Sequence, residues 1–189
     1  VAATHLAPEA MPQVRDAVEC AATGYGVEIG FPRWEGDGGS AYFLGEDAPQ
    51  RAVQAAFDAV ERVRLIAGYR VSLRTAVGIG DAPEGADLTR HSPLDFNLAG
   101  HMVGGDVCPP SGVCVTEDVY FLIAAAAPDL ARRFAYVGRT VRDGAAAFAW
   151  PQGAPPAKPG GLRPAAADAY PASLRLRAYY TRPPFSRLR

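Results

Sequence analysis

The sequence predicts an α/β (α+β) domain built on a mixed, mostly antiparallel sheet with helices on its faces. Two observations carry that expectation. Segments with apolar residues every three or four positions alternate with segments in which apolar and polar residues take turns, which are the periods of helix and strand. A Gly36-Asp37-Gly38-Gly39 turn lies between two short apolar-alternating stretches, so a hairpin sits beside helical crossovers. With 49% hydrophobic and 21% charged residues, the chain has enough apolar material for one core of ordinary size.

The elements follow in order. Pro12 to Ala22 reads as a helix, with Val14, Ala17, Val18 and Ala21 on one stripe, stopped by Gly24 and Gly26. Tyr25 to Trp34 reads as a strand, because Val27, Ile29 and Phe31 alternate with Glu28 and Gly30. Ser40 to Leu44 is its hairpin partner, with Asp37 at the tip. Asp47 to Ile66 is the strongest helix: Asp47 is a cap candidate, Pro49 suits the first turn, and Val53, Ala56, Phe57, Val60 and Val63 form a buried face. Tyr69 to Gly80 is a strand with Val71, Leu73, Thr75, Val77 and Ile79 on one side. After a polar loop, Leu94 to Val103 is a short helix and Val113 to Thr116 a short strand. Thr116-Glu117-Asp118 opens a helix to about Ala126, and Arg133–Arg139 and Ala145–Trp150 are the closing strands. No strand is legible ahead of Pro12. From Pro151 to Pro164 five prolines and three glycines exclude regular structure, so the domain is expected to span 1–150, followed by a linker and a basic segment over 151–189.

Composition narrows the function classes. Nineteen Lys+Arg against 20 Asp+Glu give a net charge of −1, without the basic excess of a nucleic-acid binder. No window approaches the roughly 18 consecutive apolar residues of a membrane span. Val1-Ala2-Ala3-Thr4-His5 has neither the basic start nor the apolar run of a secretory signal. The three cysteines, Cys20, Cys108 and Cys114, form no C-x-x-C pair and read as buried or half-buried thiols in a reducing cytoplasm.

The glycine turn is the most informative stretch for chemistry. An acidic tip on a rigid hairpin can hold Mg²⁺ over a triphosphate, since the metal takes carboxylate and phosphate oxygens and the glycines let phosphates approach. Asp-Gly is equally a common hairpin signal with no metal attached.

The order of motifs resembles the class III adenylate/guanylate (nucleotide) cyclase catalytic domain. Strand, Gly36-Asp37-Gly38, strand and long helix are followed by Val71-Ser72-Leu73-Arg74-Thr75-Ala76-Val77-Gly78-Ile79-Gly80, which stands where the family has its "lRiGihtG" strand. Asn97-Leu98-Ala99-Gly100-His101-Met102 stands for "N-x-A-x-R-L", Pro110 to Tyr120 for the next segment, and Phe134 to Gly138 for the closing one. The resemblance covers about Pro12 to Trp150. It implies a ferredoxin-like palm, an NTP substrate with two Mg²⁺ or Mn²⁺ ions, and a head-to-tail homodimer with sites at the interface.

Carried over residue by residue, Asp37 matches a metal-binding aspartate, with Gly36 and Gly38 beside the phosphates. Asn97 matches the asparagine that orients the ribose. His101 stands where the family has the arginine that stabilises the phosphorane. On a helix it shares a face with Asn97, and it is either a partial substitute for the arginine or an ordinary half-buried polar residue. Arg33 stands for the purine-selecting lysine and Arg90 for its aspartate partner, which argues against ordinary adenine selection. Trp34 either stacks on a base or packs on the sheet. The family's first metal aspartate lies on an opening strand with no counterpart in the sequence pattern; either it stands ahead of Val1 or it is lost, and the first case would favour an active enzyme. The expected function is therefore a degenerate cyclase-homology domain of a bacterial-type cytoplasmic signalling protein, binding nucleotide or mediating dimerisation. The alternatives are an active cyclase making a 3′,5′-cyclic NMP, and a scaffold without nucleotide.

Overall fold

The computed structural model describes residues 2–3, 10–28, 34–35, 38–66, 71–80, 96–104, 107–139 and 145–150. The elements are β1 (Ala2–Ala3), α1 (Met11–Gly24), β2 (Trp34–Glu35), β3 (Gly38–Gly39), α2 (Ala48–Arg64), β4 (Leu73–Val77), α3 (Phe96–Gly104), β5 (Gly112–Thr116), α4 (Glu117–Ala126), α5 (Pro128–Ala131), β6 (Ala135–Arg139) and β7 (Ala146–Trp150).

One mixed sheet runs β2-β3-β1-β4-β5-β7-β6, and its only parallel pairing among the described residues is β4 with β5. The first four strands and two helices follow one another as βαββαβ. Each helix links two strands that flank a third, the split βαβ arrangement of a ferredoxin-like palm. The α/β class and the mostly antiparallel sheet expected from the sequence are present.

Strand alternation divides the core in two. Val113 and Val115 of β5, Phe148 of β7 and Leu73 of β4 face α1, α2 and α4, where they meet Val14, Val18, Val53, Val60, Val63 and Ile123. Cys114 of β5 and Ala147 and Ala149 of β7 point the other way and pack with Met102 of α3 and with Val107 and Cys108. α3 thus lies on the opposite face from α1 and α2, over β4 and β5. At the far end of the large core, Phe57 meets Trp150 edge-on at 4.8 Å and Phe134 at 5.6 Å, and the Arg133 guanidinium lies 3.6 Å over the Phe57 ring.

Several expectations need correction. A strand does precede α1: Ala2 pairs with Gly38 of β3 and Arg74 of β4, so β1 occupies the position between them. Two alanines have no alternation to read, which is why the pattern hid it. Tyr25 and Gly26 are a turn rather than the start of a long strand, with Gly26 at φ +68°. Pairing closes on Trp34↔Gly39 and Glu35↔Gly38, so the glycines read as turn are strand, and 40–44 contributes only an isolated bridge at Tyr42. Asp47 makes no side-chain cap bond; its carboxylate turns to Arg51 Nε at 3.1 Å. Cys20 is exposed, not buried. The residues 151–189, and with them the expected linker, lie outside the described residues.

Candidate functional site

The hairpin strands β2 and β3 are short, and what fixes them comes from α1 and α2. The Trp34 indole Nε1 donates to Glu19 Oε1 at 2.9 Å, and the Arg15 guanidinium sits 5.3 Å over the Trp34 ring. Trp34 therefore packs toward α1, on the face of the sheet away from α3, as an anchor of the hairpin.

Arg51, in the first turns of α2, ties the ends of the hairpin region together. Its guanidinium donates to the carbonyls of Tyr25, Gly26 and Leu44 and to Glu28 Oε1 at 2.9 Å. The Glu28 carboxylate also accepts from the Leu44 amide at 2.8 Å. Partial burial opposes the Glu28 charge, but the Leu44 amide and then Arg51 outweigh it and hold the carboxyl below its usual range. This clamp was missed in the sequence. Its signal would have been a lone arginine on the helix side nearest two turn glycines, Gly26 and Gly45.

Of the residues singled out for chemistry, Gly38 is in β3, half-buried, opposite Ala2 and Glu35. Asn97 and His101 are both in α3, one helical turn apart, and His101 is half-buried. Arg33, Gly36, Asp37 and Arg90 lie outside the described residues. β3 is separated from β4 by β1, and from β5 by β1 and β4, so at about 4.8 Å per strand the hairpin lies roughly 10–14 Å from the strands beneath α3.

A pair of divalent ions needs several carboxylate oxygens besides those of the phosphates. The two residues of β1, in the strand next to β3, are alanines, and among the described residues no three His, Cys, Asp or Glu side chains come together in a metal-binding group. Asp37 and the residues flanking β1 lie outside the described residues. No helix among the described residues is long and apolar enough to cross a membrane.

No protein-family model matches the chain, and no curated protein matches it. Solved structures do. The chain is similar to the guanylyl cyclase domain of the RhoGC fusion protein from the aquatic fungus Blastocladiella emersonii, crystallised as a monomer. A double mutant of that domain aligns at 15% identity with a TM-score of 0.51, and another crystal structure of the domain at 14% and 0.48. Each alignment covers 77% of this chain and 84% of the other. What this chain shares with the double-mutant domain is its fold: a mixed sheet flanked by helices in the cyclase-domain arrangement.

Proposed function

We propose that this chain is a nucleotide cyclase-like signalling domain that has lost catalysis, binds an NTP or related nucleotide, and works as a homodimer. The observation that carries the reading is a mismatch inside a matching fold. Strands β2 and β3, on either side of Gly36-Asp37 in sequence, and the helix with Asn97 and His101 are present, while the described residues of β1, the strand next to β3, are Ala2-Ala3 and carry no carboxylate. One aspartate cannot hold two divalent ions against a triphosphate whose charge must be neutralised as the 3′-oxygen attacks. A histidine in place of an arginine on α3 also lacks the permanent charge and the planar fork that would hold a pentavalent phosphorane. Asp37, the glycines and Asn97 still suit weak nucleotide binding, with Mg²⁺ or Mn²⁺ carried in by the phosphates.

What supports the homodimer is the sheet order. The hairpin and α3 lie over separate parts of one sheet, so the hairpin of one copy and α3 of a second are the pair that can enclose one ligand. The test is calorimetric titration of ATP and GTP into the chain, into Asp37→Ala, into Asn97→Ala and into an equal mixture of the two variants. Weak binding lost in each variant and partly regained in the mixture is expected, because a mixed dimer rebuilds one intact site. Binding that survives both substitutions would move the nucleotide away from this site, and no nucleotide binding at all would leave only an interaction scaffold.

A further inference from the structure

The smaller core holds two thiols that the proposed function does not use. Cys108 and Cys114 are both fully buried. Their hydrogen bonds cross: the Cys108 thiol donates to the carbonyls of Gly112, at 3.3 Å, and Thr75, at 3.1 Å, while the Cys114 thiol donates to the carbonyl of Val107 at 3.5 Å. Each sulfur is thus held against the backbone leading to the other.

The loop between them is held in a fixed shape. Ser111 has φ +51° and its amide donates to Ser72 Oγ at 3.0 Å. Gly112 is pressed so closely on Pro109 and Trp150 that a Cβ would lie 2.5 Å from the proline ring. The Cys108 amide bonds back to the Met102 carbonyl of α3 at 3.2 Å, so the pair sits at the junction of α3 with β5.

We propose that Cys108 and Cys114 form a reversible disulfide when the chain meets a peroxide, fastening the segment after α3 to β5. The thiolate of Cys108 attacks a peroxide oxygen and becomes a sulfenic acid as the O–O bond breaks and hydroxide leaves. Cys114 then attacks that sulfur; its proton and the sulfenic oxygen leave in water. In sum two thiols and one hydrogen peroxide give one disulfide and two waters. The roles follow from the surroundings. Burial opposes ionisation of Cys108, but the neighbouring Cys114 thiol and, more weakly, the positive Arg74 guanidinium bring its pKa below the ordinary thiol value. Burial, and then Cys108 itself, push Cys114 well above it. Hydrogen peroxide is small enough to reach a buried pair during local opening. Transient, redox-sensing disulfides are the kind a reducing compartment permits.

The experiment treats the full chain with hydrogen peroxide at low molar excess, quenches it in acid, and counts thiols in denaturant before peptide mass mapping. The three thiols of the untreated chain should fall to one, with a peptide pair joined through Cys108 and Cys114, about 2 Da lighter than its reduced parts, and full recovery on reduction. Cys20 should stay reduced, and Cys20→Ser should leave the cross-link unchanged. Sulfinic acid on Cys108 without a cross-link, a bridge through Cys20, or three surviving thiols would each overturn the proposal.

Discussion

Replacing Gly112 by alanine should cost the protein a large part of its stability, and the structure sets the size. A Cβ there would stand 2.5 Å from Pro109 Cγ, 2.7 Å from the Trp150 carbonyl oxygen and 2.8 Å from the Pro109 carbonyl oxygen. Ordinary contact begins near 3.4 Å, so all three neighbours would have to retreat by about 0.6–0.9 Å. Two of them are backbone carbonyls, one belonging to β7 where it pairs with β5, and the third is a rigid ring. Overpacking costs about 1–3 kcal/mol where side chains can yield; here backbone must move, so about 3 kcal/mol is expected. For a chain of this size that lowers the melting temperature by roughly 6–12 °C. Gly100, in the middle of α3, is the matched control: nothing lies within 4 Å of its Cβ position. Gly100→Ala should stabilise by about 0.5–1 kcal/mol through helix propensity alone. Urea unfolding followed by circular dichroism measures both. A Gly112→Ala protein within about 0.5 kcal/mol of the parent would refute the reasoning, and so would a destabilised Gly100→Ala.

Phe57→Ala should lose about 3–5 kcal/mol, because it opens a cavity between Phe134 and Trp150 in the large core, and thermal unfolding reads it directly. Arg133→Ala, which removes a cation stacked on the exposed side of the same ring, should cost only about 0.5–1 kcal/mol in the same assay. The Glu28 carboxyl has a folded pKa below its unfolded value of about 4.5, so its contribution to stability is complete above that value and is lost as pH falls through the folded pKa. Urea midpoints should therefore fall from about pH 6 to about pH 3 less steeply in Glu28→Gln and Arg51→Met than in the parent; identical slopes would remove the clamp from the account of acid stability.

How much of this was legible depended on side-chain period. α2 could be read because Val53, Val60 and Val63 recur at helical spacing and all three are fully buried. β4 could be read because Leu73 and Thr75 alternate with Arg74 and Ala76, and the alternation matches their burial. β1 and β3 could not: Ala-Ala and Gly-Gly carry no period, and their place in the sheet is set by the neighbours they pair with. The stretch from Tyr25 read as strand, but its opening residues are a turn because Arg51, distant in sequence, collects their carbonyls. The short helix α5 was missed although Pro128 after Ala127 is a start signal, since four residues give no face to recognise. Trp34 could be placed on either side of the hairpin from sequence; the Glu19 and Arg15 contacts that decide it come from α1. Asn97 and His101 were legible as neighbours on one helix because their spacing alone requires it.

The central claim is that the cyclase fold is kept here without the cyclase reaction, and steady-state turnover tests it most directly. The chain would be incubated with ATP, GTP, CTP and UTP, each with Mg²⁺ and with Mn²⁺, and cyclic nucleotide and diphosphate measured beside Asp37→Ala and His101→Arg. Cyclic product at or near background for every nucleotide is expected, unchanged by Asp37→Ala and not restored by His101→Arg alone, because β1 still supplies no carboxylate. Robust formation of a cyclic nucleotide by the unaltered chain, abolished by Asp37→Ala, would contradict the claim and make this an active cyclase that draws its second metal ligand from elsewhere.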